Sequence, residues 1–327
     1  MDRVTISVPS SSANVGLGYD IWCLGLDDPR LSVTCIRRGS GVKLEGARSP
    51  LTPPEGRTLG VAGVDAAERF LSDAGIAQGL SLLLEDEGYP VGGLGRSGAE
   101  AVGAVMGAAV MFEIKLSRDE VITTAAVAEP GRHRDNVSAS VNGRFNIIAS
   151  NPLTGRPAAS TYDTPEDLGI AIGYSSHQKT GGTAAMRAVL EKPVPTEEFV
   201  AQAGLISAAT AALVTGNTRQ FLGLAWGDRF HEPRRADAGG YGPFTAAELG
   251  ALKRRMYEDF GVSLNISGAG PNIQLLYHKA DHPEGLGDGV STTVATWFEA
   301  RDIHVSVRAT EVAREGAYDF AQRVYGY

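Results

Sequence analysis

The sequence predicts an α+β protein of two domains, and three observations carry that expectation. Strand-like and helix-like segments are mixed along the chain, without the strict alternation of a doubly wound sheet. Composition shifts toward Pro, Thr, Ser and Gly between Asn151 and Pro165, which sets a boundary there and divides the chain into residues 1–160 and 161–327. The length of 327 residues is also that of two ordinary domains.

The elements follow in order. Val4–Val8 alternates apolar and polar residues and reads as a strand, as do Leu31–Arg37 and Val42–Leu44. A proline-rich loop covers Ser49 to Arg57. Leu59–Ala74 places Val61, Val64, Ala67, Phe70 and Leu71 at helical spacing. Leu80–Leu84 predicts a strand that ends at Glu85-Asp86-Glu87, and a helix should run from Ser97 to Phe112. Ser117 and Glu120 form a capping box, so a further helix is expected toward Glu129. Phe145–Ala149 closes the first domain as a strand.

The second domain restarts with a strand over Leu168–Tyr174. Two or three helices follow, from near Thr183, Thr196 and Thr218. The capping box Thr245-Ala246-Ala247-Glu248 opens another, which should close at Gly261. Strands Val262–Ile266 and Ile273–Tyr277, a helix over Val290–Ala300 and a strand over Ile303–Arg308 complete the pattern.

Composition narrows the function. With 43% hydrophobic and 21% charged residues, the chain reads as a soluble globular enzyme. A net charge of −8 argues against nucleic-acid binding over a basic surface. Cys23 and Cys35 lie in apolar surroundings and read as buried free thiols. Met1-Asp2-Arg3 leads directly into a strand, so no signal peptide is expected. The longest apolar run noted, Gly103 to Phe112, is too short to span a bilayer. Together these predict a cytoplasmic protein without a nucleic-acid or membrane partner.

Three glycine- and serine-rich segments suggest chemistry: Pro9 to Asp20, Val91 to Ala99, and Ile266 to Asn272. Glycine lets backbone approach a ligand closely, and the amides at a helix start attract anions. Three such loops, each beside an apolar run, predict a grip on a phosphorylated ligand.

Several look-alikes fail on context. Gly93-Leu94-Gly95-Arg96-Ser97-Gly98 fits G-x-G-x-x-G, but Pro90 and an acidic stretch separate it from any buried strand. His133-Arg134-Asp135 resembles a protein-kinase catalytic loop, yet Ser140 stands where that loop needs Asn. Asp259-Phe260-Gly261 reads better as a helix end capped by glycine. His278 and His282 lack the carboxylate of a zinc motif and read as exposed histidines.

Phosphoryl transfer needs a phosphate cradle, Mg²⁺ and groups that place the acceptor hydroxyl. The loop from Val91 to Gly98 can supply amides to a triphosphate. Ser97 can act as a helix cap, as a ligand, or as both. Glu129, expected at a helix end, is poorly placed for the helix dipole, which favours a metal-ligand role over a plain surface one.

On these residues the chain resembles the GHMP superfamily of small-molecule kinases, and within it the homoserine kinase family. Pro9–Asp20, Tyr89–Ala99 and Ile266–Asn272 match its three motifs in order. Lesser matches lie at Glu129 with His133 to Val137, at Thr183 to Leu190, and at Glu232-Pro233-Arg234-Arg235. The resemblance implies a two-domain GHMP kinase fold, with a ribosomal S5 domain 2-like amino-terminal domain and a ferredoxin-like carboxy-terminal one. It implies ATP-dependent phosphorylation of the L-homoserine hydroxyl, a step of threonine biosynthesis. Val91, Gly92, Gly93, Leu94, Gly95, Arg96, Ser97 and Gly98 would hold ATP, and Ser97 and Glu129 would bind Mg²⁺. Asn14, Asp20, Arg187 and Arg235 would contact the acceptor, with Thr183 near its hydroxyl. His133, Asn136, Gly268, Ala269 and Gly270 would border the acceptor pocket.

These roles make chemical sense. A forked guanidinium suits the carboxylate of a zwitterion, and a carboxylate suits its ammonium. The family's loop usually reads Gly-Leu-Gly-Ser-Ser-Ala, whereas this chain has Arg96 and Gly98 at two of those positions. Such departures leave threonine, mevalonate and pantoate as alternative acceptors, and a non-catalytic relative as the alternative class. A homodimer is neither required nor excluded.

Overall fold

The computed structural model describes residues 1–50, 58–89, 92–155, 157–178, 182–191 and 193–327, leaving aside the side chains of Pro157 and Thr183. The chain divides into two units. One gathers Met1–Ala13, Asp20–Tyr162 and Val312–Tyr327; the other gathers Asn14–Tyr19 and Asp163–Glu311. These units differ from successive halves at 1–160 and 161–327. The tail belongs to the first unit because the Tyr325 hydroxyl donates to the Thr5 carbonyl (2.9 Å) and accepts from the Thr5 N–H (3.0 Å). The loop Asn14–Tyr19 belongs to the second because Gln202 Nε2 donates to the Leu17 carbonyl at 2.9 Å.

In the first unit, β1 (Arg3–Ala13) buries Val4, Ile6 and Val8 on one face and leaves Thr5 and Ser7 half-buried, the alternation that a half-covered strand requires. It pairs antiparallel with β2 (Trp22–Arg38), with a register shift between Pro9 and Ser10. Strands β3 (Val42–Arg48), β4 (Gly79–Asp86), β5 (Phe145–Ser150) and β6 (Pro157–Tyr162) complete a six-stranded sheet, whose main path runs β3-β4-β2-β5-β6 with β1 paired to β2 off that path. Only the β3–β4 pair is parallel. Helix α1 (Val61–Asp73) packs beside α2 (Arg96–Met111), and α2 lies on β1 and β2. A Cβ added at Gly103 would stand 2.4 Å from Val33 Cγ2, so glycine sets that approach. Both cysteines are buried and free.

Helix α3 (Arg118–Ala125) starts at the expected Ser117 capping box. It stops short of Glu129, however. A 3₁₀ turn over Ala126–Ala128 leaves Glu129 in extended backbone at φ −93° and ψ 137°. Helix α4 (Asp135–Asn142) then begins at the last residue of the His133-Arg134-Asp135 triplet.

The second unit holds β7 (Leu168–Ser175), five helices, β8 (Ser263–Ile266), β9 (Ile273–His278), α10 (Asp288–Glu299) and β10 (Val305–Thr310). The helices are α5 (Gly182–Ala188), α6 (Thr196–Val214), α7 (Thr218–Ala225), α8 (His231–Asp237) and α9 (Ala246–Phe260). The sheet runs β10-β7-β9-β8 and is antiparallel throughout. Numbered within the unit, that is the 4-1-3-2 order of a ferredoxin-like split βαβ arrangement. Leu252 and Met256 of α9 and Val294 and Phe298 of α10 share a core with Leu264, Leu275 and Val305 of the sheet. Gly261, at φ 67°, caps α9 as expected. His278 and His282 are half-buried rather than exposed: His278 Nε2 lies 3.0 Å from Asp167 Oδ2, and His282 Nε2 lies 2.9 Å from the Phe260 carbonyl.

Helix α6 has 19 residues and is apolar and long enough to match a membrane span by composition, which the Gly103–Phe112 run is not. The expectation of no membrane partner therefore does not follow from apolar length.

Candidate active site

The phosphate-type loop lies in the first unit, between β4 and α2. Gly92, Gly93 and Gly95 take φ of 110°, 76° and 68°, which glycine adopts without strain. At Gly95 a Cβ would sit 2.0 Å from Ser11 Oγ and 2.7 Å from Asn136 Oδ1. The Ser11 hydroxyl donates to Asn136 Oδ1 at 2.8 Å, and the Ser11 N–H donates to the Leu94 carbonyl at 3.1 Å. Strand β1 and helix α4 thus fix the loop from outside its own sequence. Gly95 opens α2, whose first amides lack intrahelical partners and carry the positive end of the helix dipole. Val91 lies outside the described residues.

Ser97 is the one residue of α2 that is not buried. Its hydroxyl donates to Glu129 Oε1 at 2.6 Å. The second carboxylate oxygen of Glu129 lies 3.0 Å from His133 Nε2, and His133 Nδ1 lies 2.8 Å from Asp135 Oδ1. Burial pulls the His133 imidazole down, but the hydrogen bonds to Asp135 and Glu129 overcome it and raise the pKa to about 10. His133 is therefore an imidazolium at neutral pH, braced between two carboxylates.

Ser97 Oγ and Glu129 Oε1 are hard oxygen donors within reach of one ion. Mg²⁺ suits them, because it usually takes one or two protein oxygens and completes its shell with phosphate and water. Among the described residues no cluster of three or more His, Cys, Asp or Glu could hold a metal. The pair thus fits an ion that arrives with a phosphorylated ligand.

Arg96 departs from its expected role. Its side chain is 5% exposed and faces away from solvent. Nη2 lies 2.8 Å from Asp86 Oδ2, Nε lies 3.2 Å from Glu100 Oε1, and Nη1 donates to the Tyr89 carbonyl at 2.8 Å. Only its backbone is left to serve a phosphate. Burial pushes the Asp86 carboxyl up, but the N–H groups of Tyr89 and Gly88 and the Arg96 charge outweigh it and hold it below its ordinary value. Burial also pushes Glu100 up, here with net effect, to about 7. Gly98 packs against Val137 N at 3.4 Å and Glu129 Oε1 at 3.5 Å, measured from the position a Cβ would take.

The second unit carries a cluster around Tyr19. Asn14 and Val15 take left-handed φ of 70° and 46°, strained for a β-branched residue such as valine. The turn they make carries Asn14 Nδ2 to the Gly268 carbonyl at 2.8 Å. Arg235, 2% exposed, donates Nε to the Met186 carbonyl (3.0 Å) and Nη1 to the Gly268 carbonyl (3.3 Å). Its guanidinium lies 5.0 Å from the Tyr19 ring centre, and that of Arg187 lies 5.8 Å from it. Gly268 and Gly270 take φ of 57° and 71° on either side of Ala269, and a Cβ at Gly270 would meet the Tyr241 ring at 2.7 Å.

The residues expected at the acceptor therefore separate into two groups. Asn14, Arg187, Arg235 and Gly268 gather around Tyr19 in the second unit. His133 and Asn136 stand in the first, where their contacts are with Glu129, Asp135 and Ser11. Asp20, also in the first unit, is half-buried at φ 58°. Thr183 lies on α5, and its side chain is outside the described residues. Sequence reasoning missed Tyr19 and Ser11, although both stand inside the first motif. Asp86 and Glu100 were missed as well; the four-residue spacing of Arg96 and Glu100 was the available signal.

Comparisons with known proteins show the family and the fold. Residues 62–144 match the GHMP kinases N terminal domain. A homoserine kinase of Rhodococcus erythropolis is 32% identical over 286 residues, 84% of this chain and 85% of that one. A homoserine kinase of Thermoplasma acidophilum is 29% identical over 294 residues, covering 88% and 89%. The crystal structure of homoserine kinase from Cytophaga hutchinsonii superposes with a TM-score of 0.79 at 23% identity, covering 97% of this chain and 96% of that one.

Proposed function

This chain belongs to the homoserine kinase family of the GHMP kinases, and on that premise we propose that it transfers the γ-phosphoryl group of ATP to the hydroxyl of L-homoserine, giving O-phospho-L-homoserine and ADP. The observation that carries the reading is the 2.6 Å contact of Ser97 and Glu129 at the head of a helix whose every other residue is buried. The likeness to homoserine kinases over most of the chain supports the choice of acceptor.

The amides from Gly92 to Ser97 hold the phosphates, and the α2 dipole favours their charge. Ser97 and Glu129 would hold Mg²⁺, which when bound would supply neutralisation of phosphate charge. His133 fixes the Glu129 carboxylate. The resemblance assigns the acceptor carboxylate to Arg187 and Arg235 and its ammonium to Asp20 and Asn14. The resemblance assigns Thr183 to the acceptor hydroxyl, whose oxygen forms the new P–O bond as the bond to ADP breaks and whose proton leaves to solvent. Positioning and charge neutralisation supply most of the acceleration in such a transfer.

The reading includes cytoplasmic residence and is compatible with a homodimer, which sedimentation would test. The deciding experiment is coupled ADP release with Mg²⁺ and a panel of L-homoserine, L-threonine, mevalonate and pantoate. Turnover on L-homoserine above the others is expected. Turnover on a different alcohol alone would refute the acceptor, and no turnover on any would refute the kinase.

A further inference from the structure

We propose that Arg96 is a positioning residue: its buried guanidinium clasps the two ends of the phosphate loop together, and this clasp governs how tightly the loop takes ATP without touching the nucleotide. The inference deepens the kinase reading and rests on it.

A cation at the first position of a helix opposes the helix dipole, so its burial there needs compensation. Asp86 and Glu100 supply it, with side chains 0% and 6% exposed. The three nitrogens of one planar fork reach three segments: the end of β4 at Asp86, the loop entry at Tyr89, and the second turn of α2 at Glu100. The guanidinium also lies 5.3 Å from the Tyr89 ring centre.

The clasp extends through its partners. Asp86 Oδ1 accepts from the N–H groups of Gly88 (2.9 Å) and Tyr89 (2.7 Å). The Tyr89 hydroxyl donates to the Leu94 carbonyl at 2.6 Å, so the residue on which Arg96 rests is tied to the loop's far side. Glu100 Oε2 accepts from the Gly60 N–H at 3.0 Å, which joins the start of α1. A buried charge held between two carboxylates and a carbonyl favours one geometry, and lysine, with a single point charge, cannot bridge the same three segments. A loop shaped before the ligand arrives loses less freedom on binding.

The test compares wild type with R96A, R96K and E100Q. ATP and L-homoserine are varied separately in steady-state kinetics, and Mg²⁺–ADP binding is measured by calorimetry on the same proteins. The expected result in R96A and R96K is a rise of about tenfold or more in both KM for ATP and Kd for ADP, with KM for homoserine nearly unchanged. Added guanidinium ion restores ADP affinity to R96A, whereas methylammonium does not. Unchanged ADP affinity, or a loss shared equally by both substrates, overturns the proposal. Should R96A not fold, R96K and E100Q are judged by the same criteria. Weakened ADP binding in the variants of a wild type that binds ADP but phosphorylates no alcohol would retain the clasp and sink the kinase reading. A wild type that binds no ADP would sink both.

Discussion

Replacing Glu100 by glutamine should change how stability depends on pH. Glu100 is 4% exposed, and burial raises its pKa from an ordinary 4.5 to about 7, against the lowering pull of Arg96 and the Gly60 N–H. Below pH 4.5 the folded and unfolded chains both hold the proton. As pH rises toward 7, the unfolded chain ionises first and gains free energy relative to the fold, so stability falls. The interval from 4.5 to about 7 corresponds to about 3–4 kcal/mol at roughly 1.4 kcal/mol per pH unit. E100Q lacks this titration. Measured by urea denaturation at pH 4.5 and pH 7.5, the stability of E100Q relative to wild type should improve by about 3 kcal/mol at the higher pH. His133 titrates in both proteins and cancels in the comparison. A stability difference that stays constant between the two pH values would refute the assignment of a buried, proton-holding carboxyl at this position.

Three further outcomes follow from the geometry. E129Q and S97A should each lower kcat by about a hundredfold or more and raise the Mg²⁺ concentration needed for half-maximal rate; a normal Mg²⁺ titration in E129Q would remove it from the metal site. R187A should raise KM for homoserine by about tenfold to a hundredfold, equivalent to about 1–3 kcal/mol, and leave KM for ATP in place; an unchanged homoserine KM would remove Arg187 from the acceptor. G98A should stabilise α2 by about 0.5–1 kcal/mol, because its new methyl meets only ordinary contacts from 3.4 Å; a lower Tm would show that the helix head cannot yield to it.

Much of the fold was legible where local chemistry decides it. The capping boxes at Ser117 and Thr245 and the glycine stop at Gly261 gave helix ends from a few residues each. Helix α4 has no apolar stripe to mark it, because all seven of its residues other than Asn136 are buried, polar ones included. Strand β6 looked like a linker, since its Pro, Ala, Ser and Thr gain strand structure only from pairing with β5. Ser97 and Glu129, singled out by their sequence context, lie in contact in the fold. The direction of the Arg96 side chain was not legible, because it depends on Asp86, at the end of β4, and on a buried environment that only the folded chain creates.

The polypeptide leaves the first unit after Tyr162 and returns at Val312, which makes almost all of the second unit an insertion. The returning tail is stitched in by Ala313 N–H to the Gly25 carbonyl (2.9 Å), Arg144 N–H to the Ala313 carbonyl (2.6 Å), and Asp319 against Arg118 and Arg144. On a ribosome, therefore, the unit whose synthesis begins first is finished last. It must wait, without its closing helix Ala317–Tyr325, while the inserted unit emerges with nearly all of its residues to hand.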